Sequence, residues 1–234
     1  MTDHPNPNPV PIRDAATIVV LDRDAAGGPA VLMGQRGKKA AFMPSKYVFP
    51  GGALDADDLG ISFSSPLTPS SLQRLLAEQR DASVATPEGL AAAALRELAE
   101  ETGLLCGAAG AAPATWPGYV SGGISPDPSG LIYFFRAITP PHQPRRFDTR
   151  FFLLDTAMIH GDPHDFSRAS DELSNIHWVP LAEARRLDLP FITEIVLAEV
   201  GALLRRTIGT PQDDPEGVPF FDNRGTSPRF IRIA

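Results

Sequence analysis

The chain has 234 residues, 43% of them hydrophobic, with a formal net charge of −7 at pH 7 and a pI near 5.2. That length and apolar content suit one decorated domain with a real core, and the acidic balance argues against general affinity for nucleic acid or anionic membranes, which select a basic face. A single cysteine, Cys106, allows no internal disulfide and no thiolate metal cluster; it reads as a small buried apolar residue in a reducing, cytoplasmic setting.

Taken in chain order, MTDHPNPNPVPIRD lacks the apolar core of a signal peptide and reads as a flexible arm over residues 1–14. The runs ATIVVLD (16–22), AVLMGQR (30–36) and KYVF (46–49) are β-branched or aromatic and bounded by turn residues, so they predict strands. Helical patterns follow at 69–80 (PSSLQRLLAEQR) and 87–102 (PEGLAAAALRELAEET). Further strands are expected at LIYFFRAI (131–138), TRFFLLDT (149–156) and IHWVPL (176–181), and further helices at 181–187 and 193–206. Residues 209–234 are rich in turn formers and are expected to pack as a tail on the surface. Strands and helices interleave, so the fold class is α/β or α+β, with the main domain over residues 15–208. No run of about 18 apolar residues suggests a membrane span, and no repeat of about 20–50 residues suggests a solenoid.

The helix at 87–102 has marked ends: Thr86 as N-cap, Pro87 at its first position and Gly103 as its stop. At 100° per residue Ala91, Ala94, Leu95, Leu98 and Thr102 share a side that predicts burial against the sheet, while Glu97, Glu100 and Glu101 fall within an arc of about 100° on another. Like charges three and four positions apart repel by a few tenths of a kcal/mol, and carboxylates in the last turn oppose the negative end of the helix dipole. Either this is a solvated acidic face, or the carboxylates are there to hold a hard divalent cation.

The flanking residues favour the second reading. Glu88, Arg96, Glu97, Leu98, Glu100, Glu101, Gly103 and Leu104 fill the pattern E-x7-R-E-U-x-E-E-x-G-U, where U is a bulky aliphatic. It resembles the Nudix box of the Nudix hydrolases. That box opens with a glycine six positions before its first Glu, after a strand ending in Pro-Gly-Gly; FPGG (49–52) supplies Gly51 and Gly52, yet Gly52 stands 36 positions before Glu88. The chain therefore looks like a Nudix box split by an insertion, about residues 53–87, partly helical, between catalytic loop and catalytic helix. The same feature marks a subgroup that includes the mammalian peroxisomal coenzyme A diphosphatase. The stretches RGKKAAFMPSKYVFPGG (36–52), RRFDTRFFLL (145–154) and ELSNIHWVPLAEA (172–184) also look like that subgroup.

The resemblance implies a mixed β-sheet sandwiched between helices and hydrolysis of a nucleotide-type diphosphate with Mg²⁺ or Mn²⁺. It implies Glu97, Glu100 and Glu101 as metal ligands, with the Gly51 carbonyl as an additional one. Glu97 and Glu100 count as catalytic, and so does Arg96, assigned to orienting Glu97 or pairing with Glu88. Arg36 is the expected substrate contact. The general base is left open between a box glutamate and a downstream carboxylate, Asp171 or Glu172. Coenzyme A or acyl-coenzyme A is the first substrate class; ADP-ribose, another nucleotide and a non-catalytic nucleotide-sensing module are the alternatives. No nucleic-acid or membrane partner is expected, and a homodimer is left open.

Outside the box, His160 and His164 read as a solvated loop, and Trp178 as core. Arg145 and Arg146 read as a basic loop with a substrate-phosphate contact as the sharper option. The insertion reads as a cap over the pocket, with Leu72, Leu75 and Leu76 on an apolar side, or as a dimer contact.

Overall fold

Two-residue alternation in the first long strand places Ala16, Ile18 and Val20 on one side and Val19 and Leu21 on the other, and both sets are fully buried. A strand buried on both faces needs cover on both, which dictates a central sheet between helices. The computed structural model, which describes residues 10–38, 43–206, 215–225 and 227–234, has that architecture. Residues 1–9, 39–42, 207–214 and 226 lie outside the described residues, and with them most of the expected arm, part of the 36–52 motif and the start of the expected tail.

In chain order the elements are β1 (Ile12–Asp22), β2 (Ala30–Arg36), β3 (Tyr47–Val48), β4 (Gly51–Ala53), a 3₁₀ turn (Asp57–Gly60), α1 (Pro69–Leu75) and α2 (Pro87–Thr102). There follow β5 (Leu105–Ala109), α3 (Pro117–Gly122), β6 (Ile124–Pro126), β7 (Ile132–Ile138), β8 (Arg146–Asp155), β9 (Ile159–His160), β10 (Leu173–Pro180), α4 (Phe191–Arg206), β11 (Val218–Asp222) and β12 (Arg229–Ile233). The main sheet runs β10-β2-β1-β8-β7-β11-β12, with β3 beside β2 and β4 beside β1. It is mixed: β1 runs parallel to β8 and β11 to β7, and the other neighbours are antiparallel. A small sheet, β6-β5-β9, stands apart.

One sheet face carries Ala16, Ile18, Val20, Leu32, Phe152 and Leu154 against Leu90, Ala91, Ala94, Leu95 and Leu98 of α2. The other carries Val19, Leu21, Val31, Met33, Phe151 and Leu153 against Val196, Leu197, Val200 and Leu203 of α4. The alanines at 91–94 let α2 lie close on the sheet, and all four are fully buried. Its ends are the ones local chemistry dictates: Thr86 Oγ1 accepts from Gly89 N at 3.0 Å, and Gly103 closes the helix at φ 77°, a conformation glycine adopts without penalty.

Three regions differ from the sequence expectation. β1 starts at Ile12, inside the stretch read as an arm, because its first residues pair in register with Arg146–Asp148 of β8. The stretch read as a surface tail supplies β11 and β12, whose Val218 and Phe220 are fully buried. The helix expected over 181–187 is only a 3₁₀ turn at Ala184–Arg186. Among the described residues no helix is long and apolar enough to cross a membrane.

The segment between β4 and α2 is tied down by ions on the α2 face, at the start of β1 and β8. Asp148, fully buried, accepts from Arg136 Nε and Nη2 at 2.8 Å each and from Arg80 Nε at 2.8 Å. Burial works against its charge, but Arg136, Arg150 and Arg80 outweigh that and hold its pKa below the ordinary carboxylate value. Breaking a buried pair strands its partners, so Asp148→Asn should destabilise the protein by about 3–5 kcal/mol in urea unfolding. A loss under about 1 kcal/mol, the scale of an exposed pair, would show that the cluster does not anchor the fold.

Candidate active site

The site forms where α2 crosses β4. In the antiparallel β1–β4 ladder, Ile18 N donates to Pro50 O at 2.9 Å and Leu54 N to Asp14 O at 2.9 Å, so Gly51 and Ala53 turn their amides and carbonyls away from β1. The helix reads that outer edge. Glu101 Oε2 accepts from Gly51 N at 2.8 Å, and Arg96 Nη2 donates to Ala53 O at 3.1 Å. By the same alternation the Gly51 carbonyl lies on this edge. Proximity requires glycine at 51, where a Cβ would fall 2.6 Å from Ala16 O, while a Cβ on Gly52 would fall 2.1 Å from Glu97 Oε1 and displace that carboxylate.

Arg96 organises the acids. Its Nε and Nη2 donate to the two oxygens of Asp58 at 2.9 and 3.0 Å, while Nη1 reaches Glu97 Oε1 at 2.9 Å and Glu100 Oε2 at 3.2 Å. Burial disfavours its charge, yet the Asp58 bond and the charges of Glu97, Asp58 and Glu100 raise its pKa further above the usual arginine range. The expected orientation of Glu97 by Arg96 is therefore seen, and the alternative pairing with Glu88 is not. Glu88 is exposed, and the buried acid on Arg96 is Asp58, from the 3₁₀ turn at Asp57–Gly60. Asp58 stands six positions after Gly52, the spacing of the box's first acid. Spacing backward from Arg96 selected Glu88, whereas spacing forward from Gly52 would have found Asp58.

The three glutamates differ in environment. Glu101 is 2% exposed; burial pushes its pKa up to about 8, the Gly51 amide and Arg36 pull it back, and Glu97 and Glu172 add to the rise. Glu97 is raised as well, first by burial and then, against the pull of Arg96, by Glu100 and Glu172. Glu100 is exposed. As they stand, the carboxylates do not converge: Glu97 and Glu100 are held by Arg96, Glu101 by Gly51, and among the described residues no three His, Cys, Asp or Glu form a ready metal cluster. The donor set nonetheless fits a hard cation. It offers a buried carboxylate, Glu101, and a half-buried one, Glu97, against a cradle free of Cβ atoms, plus a backbone carbonyl, all oxygen.

Two neighbours complete the site. Arg36, at the end of β2, is close enough to lower the Glu101 pKa, and its buried Nε has no hydrogen-bond partner. Ser170 N donates to Glu100 O at 3.0 Å, tying the loop before β10 to the end of α2 and bringing Glu172 within electrostatic reach of Glu97 and Glu101.

Other candidates lie apart or are engaged elsewhere. Arg146 gives Nε to Thr139 O at 3.0 Å and Nη2 to Asn223 O at 2.6 Å, and Arg145 is exposed. His160 and His164 are exposed; His164 lies in a loop as expected, whereas His160 ends β9, opposite Leu105. Trp178 is only partly buried, with Nε1 on Pro163 O at 3.2 Å. Leu75 is 1% exposed in the core and Leu72 packs on it, while Leu76 is 58% exposed, so the three do not form one open apolar side. The open space beside this segment is a cleft of about 530 Å³ between Ala56, Gly60 and Ile61 and the loop at Ala112–Thr115.

Residues 83–200 match the NUDIX domain family. The chain is 29% identical over 192 residues to the "Putative nudix hydrolase 7" of Caenorhabditis elegans, covering 71% of this chain and 51% of that protein. It thus spans about half the length of that curated relative. Its structure resembles the crystal structure of a NUDIX hydrolase from Alicyclobacillus acidocaldarius with a TM-score of 0.58 and 30% identity, covering 81% of this chain and 90% of the other.

Two outcomes follow from this geometry. Asp58→Asn should lower turnover by about 10–100-fold through loss of support to a ligand-bearing group, while Glu88→Gln should change it less than about twofold; the reverse order would restore Glu88 as the box acid. Glu97 and Glu101, raised from 4.5, hold protons in the folded protein that the unfolded chain has released, so stability should fall as pH rises from about 4.5 to about 8. Urea unfolding with chelator present should show that slope flattened in Glu101→Gln; an unchanged slope would refute it.

Proposed function

The chain belongs to the Nudix hydrolase family, and from that premise we propose a divalent-metal-dependent diphosphatase for a nucleoside diphosphate linked to another group, coenzyme A or acyl-coenzyme A first. The observation that carries this reading is the pairing of Glu97 and Glu101, one helical turn apart, with the Cβ-free Gly51–Gly52 backbone beneath them and Arg36, whose buried Nε has no hydrogen-bond partner, nearby.

Glu97, Glu100, Glu101 and the Gly51 carbonyl are the ligand set assigned to Mg²⁺ or Mn²⁺. When bound, such an ion neutralises diphosphate oxygens and lowers the pKa of a coordinated water. The protein's own groups do the rest. Arg96 sets the carboxylates through Asp58 on one side and Glu97 and Glu100 on the other, so it is a positioning residue. Glu172 is the loop carboxylate that receives the proton of the attacking water. The water oxygen bonds to one phosphorus as the bridging oxygen departs with the other phosphate. Arg36 donates to a substrate phosphate. The segment after Asp58, up to α2, is the insertion that splits the box. Its cleft against Ala112–Thr115 takes the uncharged arm of the substrate, a role the packed Leu72 and Leu75 cannot fill.

The test is incubation with coenzyme A, an acyl-coenzyme A, ADP-ribose and a dinucleoside polyphosphate in Mn²⁺, with products identified by mass spectrometry. The expected products are 3',5'-adenosine diphosphate and 4'-phosphopantetheine or its acylated form. Arg36→Ala should weaken turnover of coenzyme A more than that of its analogue lacking the 3'-phosphate, and Glu172→Gln should lower kcat by about 10²–10⁴-fold. Cleavage of ADP-ribose alone would replace the coenzyme A reading. No cleavage of any diphosphate would favour a nucleotide-sensing module.

A further inference from the structure

Two buried arginines, a half-buried one and two aspartates meet on the α2 face of the sheet, beside the Asp14–Ala16 stretch of β1. Arg136 and Arg150 come from β7 and β8, Arg80 from the segment before α2, Asp14 from β1 and Asp148 from β8. Arg136 is 1% exposed, and Asp148 and Arg150 are fully buried. Asp148 is taken by Arg136 and Arg80; Asp14 accepts from Arg150 Nη1 at 2.6 Å and Ser83 Oγ at 2.9 Å, with Arg80 Nη2 at 2.8 Å. Three guanidinium groups against two carboxylates leave one positive charge over.

No neighbour cancels it. Burial pushes the Tyr133 phenol up to about 12, so it is neutral near pH 7. Arg146, close enough for Arg80 to lower its pKa, adds positive charge and bonds only carbonyls. Arg224 is matched by Glu78 and Asp222. The surplus coincides with unpaired donors: Arg150 Nε and Nη2 and Tyr133 Oη are all buried without a hydrogen-bond partner. Tyr133 stands opposite Phe152, two residues along β8 from Arg150, and the charges of Arg136 and Arg150 act on its hydroxyl. Nε and Nη2 form one edge of the guanidinium, a fork suited to a single acceptor.

We propose that the Arg150 fork and the Tyr133 hydroxyl hold a small monovalent anion of halide size as a built-in part of the fold. One negative charge neutralises the cluster and accepts from all three donors. A water in the same place leaves the charge uncompensated in a buried setting, which is the costlier arrangement. Held there, the anion fastens the segment carrying Arg80 and Ser83 to β1, β7 and β8.

Because the cluster is enclosed, the protein is unfolded and refolded in bromide, crystallised, and measured above and below the bromine absorption edge. The expected result is an anomalous peak within hydrogen-bonding distance of Arg150 Nε, Arg150 Nη2 and Tyr133 Oη. At constant ionic strength set with gluconate, the melting temperature should rise by about 5 °C as chloride replaces gluconate, since an anion bound only by the folded state stabilises it. Tyr133→Phe, which keeps the ring, should reduce that rise. No anomalous peak, with a melting temperature indifferent to halide in both proteins, would overturn the proposal and leave an ordinary water there.

Discussion

A single guanidinium holds the site together. Arg96 joins three chain segments: the β4 edge through Ala53 O, the 3₁₀ turn through Asp58, and its own helix through Glu97 and Glu100. Without it, Glu97 and Glu100 would face each other and Glu101 in the last turns of a helix whose dipole already disfavours them. The arginine makes that acidic arc tolerable, and Asp58 in turn keeps the arginine in place with a two-pronged bond. A carboxylate presented this way is oriented before any ligand arrives, which is what a site for charged oxygens requires.

The sheet supplies the other half of the constraint. An antiparallel partner that satisfies only alternate residues of β4 leaves the edge at Gly51 and Ala53 for the helix. Because α2 lies close on the sheet through its run of alanines, Glu97 comes so near Gly52 that any side chain there would push its carboxylate aside. Close packing and site geometry are thus one requirement. The two core clusters, one under α2 and one under α4, hold this edge in place from both sides.

Features set by neighbours in sequence were legible before the structure. The ends of α2 follow from Thr86, Pro87 and Gly103, and its buried stripe from periodicity; the acidic arc announced itself by breaking local rules. β2 was bounded correctly because its turn signals are local. What escaped depends on distant partners. Asp58 has the right spacing from Gly52, but its role shows only once Arg96 lies against it, 38 positions on. β11 and β12 were hidden because β11 joins the sheet by pairing in parallel with β7, through Phe220 and Phe221 against Arg136 and Ala137. The ion cluster around Asp148 draws on four separate segments, and no spacing rule connects Asp14 with Arg150.

The central claim is that Glu97 and Glu101, seated on the Gly51–Gly52 backbone, form the floor of a divalent-metal site. Anomalous scattering from crystals grown with Mn²⁺ tests it most directly. The account predicts a manganese peak between Glu97 and Glu101 within coordination distance of the Gly51 carbonyl, absent from Glu97→Gln crystals of the same form. Manganese bound elsewhere in an active enzyme, with these carboxylates untouched, would contradict it.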